Sequence, residues 1–194
     1  MNVYDFDKTI YQNDSSADLL LWCMKKKPHL FFSWFPKAVK GSFDHYIRKK
    51  DKESMKEKLF SLLASFPERE KLIEEFWDEH EKGIQSFYLK QKREDDLIIS
   101  ASPAFLIEPI CKRLHIRCLA SPLDLKTLSY QGRNCYGEEK LRRLREYTDE
   151  RIDRFYSDSL SDTPLAETAK KAYFVKNGKV REWPQRRTHE QAQK

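Results

Sequence analysis

Apolar positions along this chain follow two rhythms, and the change from one to the other divides it. Val3 and Tyr4 read as a short opening strand. From there to about residue 95 the spacing is helical. Leu19 to Trp22 and Met24 mark a first helix, capped by Asp14 or Ser15 and closed by Pro28. Val39, Phe43, Tyr46 and Ile47 fall within a segment over 37–50, and Met55, Leu59, Leu62 and Leu63 predict a helix over 51–64. The longest stripe is Leu72, Ile73, Phe76, Trp77, Ile84, Phe87 and Tyr88, which predicts one long helix opened at Pro67. The stretch from His29 to Pro36 is aromatic, and Phe31, Phe32, Trp34 and Phe35 are assigned to the core of this helical unit.

At Asp95-Asp96 the rhythm switches. Leu97-Ile98-Ile99 is wholly apolar, as in a strand buried on both faces of a parallel sheet. A helix follows through Leu114, with Ser102 expected as N-cap and Pro103 in the first turn. Further strands are predicted over 116–120 and 152–157, and helices over 138–147 and from Pro164. Asn177-Gly178 between Lys171–Val175 and Lys179–Trp183 predicts a tight hairpin. Strands alternating with helices give an α/β fold, a three-layer Rossmann-like parallel sheet with an inserted all-helical unit. Residues 1–14 and 96–184 form the expected core, 15–95 the insertion, and 185–194 a polar tail.

Composition narrows the class. The 194 residues suit one domain with a large insertion, and 39% hydrophobic with 35% charged residues describes a soluble protein. The net charge of +6 is spread out, with small clusters at Lys25–Lys27 and Arg48–Lys50, so nucleic acid is not an expected partner. Cys23, Cys111, Cys118 and Cys135 lack metal-ligand spacing, which points to reduced thiols and a cytoplasmic setting. The five histidines show no ligand spacing either. The opening residues are acidic, unlike a secretory leader, and no apolar run approaches the roughly 20 residues a bilayer requires.

The candidate chemistry lies at predicted strand ends, where parallel sheets bind ligands. Period-two alternation sends Asp5 and Asp7 to one side. Two neighbouring carboxylates repel, and a hard divalent cation with oxygen ligands resolves that repulsion. Ser100 ends a second strand, Asp158 and Asp162 follow a third, and Lys140 sits at the start of the 138–147 helix.

Asp-Phe-Asp-Lys-Thr, Ile-Ile-Ser-Ala-Ser-Pro, Gly-Glu-Glu-Lys-Leu and Ser-Asp-Ser-Leu-Ser-Asp, in that order, resemble the four motifs of the haloacid-dehalogenase-like hydrolases. The similarity is to the phosphoserine-phosphatase-like branch, whose helical cap lies where this chain has its insertion. Cys-Tyr-Gly-Glu-Glu-Lys and Tyr-Ser-Asp-Ser-x-x-Asp-x-Pro-Leu are also similar to bacterial phosphatidylglycerophosphate phosphatases of that branch. Phosphoserine phosphatases usually carry Ser-Gly-Gly and Gly-Asp-Gly-x-Asn-Asp in the second and fourth motifs, and this chain does not.

The resemblance implies a Mg2+-dependent phosphoric monoester hydrolase working through an aspartyl-phosphate. Asp5 is then the nucleophile, Asp7 the general acid and base, and Lys140 a fixed cation on nucleophile and phosphate. Ser100 and Ala101 join Lys140 in binding phosphate, and Asp5, Asp7 through its main-chain carbonyl, and Asp158 hold the metal. Thr9 orients Asp7, Ser102 supports the phosphate loop, and Asp162 orients Lys140 or a metal-bound water. A dehalogenase has no use for the acid Asp7, because halide leaves unprotonated; a phosphate ester does. The expected substrate is a soluble phosphorylated small molecule. Two alternatives stand beside it: a phospholipid headgroup phosphate, with aromatic and lysine residues of the insertion meeting anionic lipid, and a non-catalytic anion-binding protein on the same scaffold.

Overall fold

The computed structural model describes residues 1–30, 32, 34, 36, 39 and 52–184. The predicted 37–50 segment apart from Val39, the Arg48–Lys50 cluster, Phe31, Phe35, His45 and the 185–194 tail with His189 lie outside them. Six strands form one sheet in the order β3-β2-β1-β4-β5-β6. They are β1 (Asn2–Tyr4), β2 (Leu97–Pro103), β3 (Arg117–Ser121), β4 (Arg154–Ser157), β5 (Lys171–Lys176) and β6 (Lys179–Glu182). All neighbours are parallel except β5 and β6, the hairpin predicted at Asn177-Gly178. Asn177 at φ 50° and Gly178 at φ 72° supply the two left-handed residues such a turn needs.

Both faces of the central strands are buried, and alternation assigns each residue its layer. Val3, Leu97, Ile99 and Phe155 face one core with Leu144 and Leu165. Tyr4, Ile98 and Tyr156 face the other, with the helices that precede β2. Tyr4, Tyr156 and Tyr173 are register partners across β1, β4 and β5. Their rings stack at 4.7 and 4.9 Å between centroids, each pair contributing about 0.5–1.5 kcal/mol beyond area burial. This ladder fixes the register that brings the ends of β1 and β4 level.

Between β1 and β2 the described elements are helical: α1 (Ser15–Lys26), α2 (Lys52–Phe60), α3 (Arg69–His80) and α4 (Ser86–Gln91), with 3-10 turns at Ser61–Ser65 and Glu81–Gly83. Asp14 caps α1, its carboxylate accepting the Ala17 N–H at 2.9 Å. The long helix expected from Leu72 to Tyr88 is in fact broken at Gly83. There the chain turns to dock on residues 10–12: Gln12 donates to the Gly83 carbonyl and Gln85 to that of Ile10. A Cβ on Gly83 would sit 2.5 Å from the Tyr11 ring, so only glycine allows that approach. The aromatic stretch also splits. Trp34 is buried and donates to the Leu59 carbonyl at 3.0 Å, as a core residue should, but Phe32 is 80% exposed, contrary to its core assignment.

After β2 come α5 (Ala104–Arg113), α6 (Glu138–Tyr147) and the short α7 (Thr163–Ala166). The strand expected to stop at Ile99 runs on to Pro103 through an irregularity, where Pro103 pairs with Ser121. The N-cap of α5 is therefore Pro103 and not Ser102. All four cysteines are free. Among the described residues no helix is long and apolar enough to cross a membrane.

Candidate active site

The carboxyl ends of β1, β2 and β4 converge on a cavity of about 580 Å³. Asp5 leaves β1 still paired, its N–H donating to the Tyr156 carbonyl at 2.8 Å. Its carboxylate Oδ1 accepts from Lys140 Nζ at 2.7 Å, and the same ammonium donates to Asp162 Oδ2 at 2.7 Å. Lys140 is 2% exposed and Asp162 1%, so these charges form the floor. Ser157 Oγ adds a third hold on the assembly, donating to Asp162 Oδ2 at 2.8 Å.

Lys140 reaches the floor because α6 is anchored at its start. Gly137 precedes it at φ 59°, ψ −126°, a backbone that side chains resist. Arg143 then ties the helix down by donating to the carbonyls of Ala120 and Arg133 and to Glu139.

The floor is not charge-balanced with Asp5 ionised, since one ammonium faces two carboxylates. Burial pushes the Asp5 carboxyl well above the usual carboxylate range, against the pull of Lys140. Burial alone would lower the Lys140 ammonium, but Asp5 and Asp162 reverse this and hold it charged.

Asp7 sits two residues on, with different company. Its Oδ1 accepts the Ser15 N–H at 2.6 Å, and its Oδ2 accepts Ser102 Oγ at 2.5 Å. Burial again raises the carboxyl, helped by Asp14 and opposed by those two donors. Between the two aspartates Phe6 is fully buried against Tyr11 and Trp77, which locks the turn that presents both.

Most of the expected residues meet here. Asp5, Asp7, Ala101, Ser102, Lys140, Asp158 and Asp162 all line the cavity. Ser100 lies beneath it, fully buried, its Oγ accepting the Ser102 N–H at 3.0 Å. Thr9 does not orient Asp7: its hydroxyl is buried without a hydrogen-bond partner, and Ser15 and Ser102 do that work instead. Ser102 is thus bound to Asp7 rather than capping a helix, since a hydroxyl gains more from a carboxylate than from an amide.

Two lysines that line the cavity carried no expected role. Lys56 on α2 donates to the Ala101 carbonyl at 2.5 Å and to Asn134 Oδ1 at 2.8 Å. Its sequence context, Lys-Glu-Ser-Met-Lys-Glu-Lys, reads as a solvated helix face, so no local signal marks it. Lys8 also lines the cavity; it stands inside the first motif, between the two aspartates and Thr9, where it could have been noticed.

The donor set suits a hard cation. Asp5, Asp7 and Asp158 are all raised by burial, and the buried Asp162 Oδ1 has no hydrogen-bond partner. Additional positive charge with oxygen ligands would relieve all of these. Among the described residues no three His, Cys, Asp or Glu side chains form a ready-made cage. The expected set needs none, combining the Asp5 and Asp158 carboxylates with the Asp7 main-chain carbonyl.

A family model described as haloacid dehalogenase-like hydrolase matches residues 3–167. No curated protein matches the chain. Among solved structures, a protein of unknown function from Bordetella pertussis Tohama I is similar at 21% identity and TM-score 0.66, covering 89% of this chain and 87% of that one. A phosphoserine phosphohydrolase-like protein from Francisella tularensis is similar at 16% identity and TM-score 0.51, with coverage of 89% and 86%. A probable phosphoserine phosphatase from Vibrio cholerae is similar at 14% identity and TM-score 0.61, covering 88% of this chain and 55% of that one. At these identities the likeness is one of fold.

Proposed function

The chain belongs to the haloacid dehalogenase-like hydrolase family, and on that premise we propose that it is a phosphatase that hydrolyses a phosphate monoester through an aspartyl-phosphate on Asp5. The observation that carries this reading is the Lys140 ammonium bridging Asp5 and Asp162 at 2.7 Å each, with Asp7 at the same strand end. A binding protein has no need of a second acid beside the first.

Asp5 Oδ attacks phosphorus, and the leaving oxygen takes a proton from Asp7 as the P–O bond breaks. A carboxyl raised by burial is suited to carrying that proton near neutral pH. When Asp7 is protonated the Ser102 hydroxyl turns to Ser16 Oγ, 3.1 Å away, so no donor is stranded. Asp7 then takes a proton from the water that attacks the aspartyl-phosphate. Lys140 keeps Asp5 aimed and neutralises the phosphate, with Ala101 at its other oxygens and the buried Ser100 supporting that strand end from beneath through Ser102 N–H. Mg2+ is the expected metal, held by Asp5, Asp158 and the Asp7 carbonyl; when bound it supplies the charge that offsets repulsion between nucleophile and phosphate.

We assign residues 1–14 and 96–184 to the catalytic core and residues 15–95 to a cap over it, since Lys56 of α2 already contacts the Ala101 carbonyl at the end of β2. A soluble small-molecule phosphate is the favoured substrate. The test is turnover of p-nitrophenyl phosphate by wild type and Asp5→Asn, with Mg2+ and with EDTA. Turnover by wild type in Mg2+ alone is expected; equal activity in Asp5→Asn would overturn the assignment.

A further inference from the structure

Lys8 occupies a left-handed backbone conformation at φ 55°. The turn demands it. The N–H groups of Thr9, Ile10 and Tyr11 all point at the Phe6 carbonyl, and Lys8 N–H donates to that of Asn13 at 2.9 Å. Glycine would adopt this conformation freely, whereas lysine does so at a cost. Among the described residues three other non-glycine residues share the feature, His115, Leu128 and Asn177, and none of them lines the cavity. A left-handed side chain is therefore not itself a functional sign. Lys8 differs because its side chain lines the cavity.

Its place there is distinctive. Lys140 is at the floor, 2% exposed, while Lys8 is exposed at the rim. Lys140 is matched by two carboxylates and Lys56 by two neutral oxygens. Among the described residues the Lys8 ammonium makes no hydrogen bond or ion pair, although its charge is felt at Asp158. Asp14, half-buried at the cavity edge, is engaged with the start of α1. A phosphate seated on Lys140 leaves the remainder of the substrate at the rim.

Resting on the phosphatase reading above, we infer that Lys8 is a specificity-determining residue whose ammonium binds an anionic group carried on the leaving-group side of the substrate. The backbone strain is then retained for the side chain it presents. The anionic group is a carboxylate or a second phosphate, and the substrates tested distinguish them.

The experiment compares kcat/KM for phosphoglycolate and fructose 1,6-bisphosphate, each relative to glycerol 2-phosphate, whose leaving group is neutral. Wild type is expected to prefer at least one of the anionic substrates. That preference should fall by about tenfold in Lys8→Asn, which tolerates the backbone conformation, persist in Lys8→Arg and invert in Lys8→Glu. Lys8→Gly should gain about 2–4 °C in Tm as strain is relieved. Unchanged substrate ratios in Lys8→Asn and Lys8→Glu would overturn the inference while leaving the phosphatase reading intact. If wild type turns over none of the three, p-nitrophenyl phosphate turnover still decides the phosphatase reading, and calorimetry decides Lys8 separately: phosphoglycolate binding no weaker in Lys8→Asn than in wild type refutes its role.

Discussion

The cavity has a floor built from strand ends and a wall built from α2, and each presents one lysine, buried on the floor and half-buried on the wall. On the floor, Lys140 is answered by Asp5 and Asp162, and the carboxylates hold its ammonium charged. On the wall, Lys56 meets only a carbonyl and an amide oxygen, and burial draws its pKa down to about 8. The two cations thus solve opposite problems. Lys140 is pre-organised, its desolvation offset by contacts that exist before any substrate arrives. Lys56 is under-compensated, its ammonium answered by neutral oxygens alone. Rigidity belongs to the floor, where chemistry needs fixed charge, and the weaker bond belongs to the wall.

The sharpest way to break this contrast is at the floor. Asp5→Asn removes the proposed nucleophile and should reduce turnover by more than about a thousandfold, with circular dichroism unchanged. Activity within tenfold of wild type would show that Asp5 is not the attacking group.

Lys140→Met should fail twice. It leaves Asp5 and Asp162 facing each other without a cation, which by the usual cost of orphaning a buried charge destabilises the fold by about 3–5 kcal/mol. A urea titration reads that loss, and turnover should fall with it. A change below about 1 kcal/mol would mean the floor is wetter than its burial implies.

Asp7→Asn should cost about a hundredfold or more with aliphatic phosphates and far less with p-nitrophenyl phosphate, whose leaving group needs little protonation. Equal losses on both substrates would assign Asp7 a role other than the acid.

The smallest effect is at the wall. Folded Lys56 releases its proton near pH 8, whereas in the unfolded chain it does so near the ordinary lysine value of about 10.4. Asp7, Asp14 and Glu53 act on it from one sign and Lys52 from the other. Between those pH values the unfolded chain holds more protons, so the Lys56 contribution to folding stability rises with pH. Lys56→Met should therefore raise Tm by about 1–3 °C at pH 7, an advantage that shrinks as pH rises through 8 towards 10. A pH-independent difference would place the amine in water.

Local rules carried far in this chain. The hairpin at Asn177-Gly178 and the Asp14 cap of α1 depend on neighbours in sequence, and both are where their residue types require. The helix over Glu138–Tyr147 matches its predicted bounds for the same reason. The run Leu97–Ile99 announces burial on both faces by lacking polar residues, which makes the parallel sheet legible. Asp5, Asp7, Lys140, Asp158 and Asp162 stand out because charge at such strand ends has no folding benefit of its own.

Tertiary contacts decided the remainder. The break at Gly83 answers the Tyr11 ring, which lies 72 residues earlier and leaves no trace in helical periodicity. Ser102 abandoned a cap for Asp7, and Thr9 lost its expected role because its hydroxyl faces the interior. Lys56 entered the cavity from a charge-rich helix face through bonds to residues 45 and 78 positions away. Sequence patterns report which residues prefer burial or a local turn. They do not say which distant acceptor a hydroxyl or an ammonium will meet, because that choice is settled by the geometry of packed elements and the cost of leaving a buried polar group unpaired.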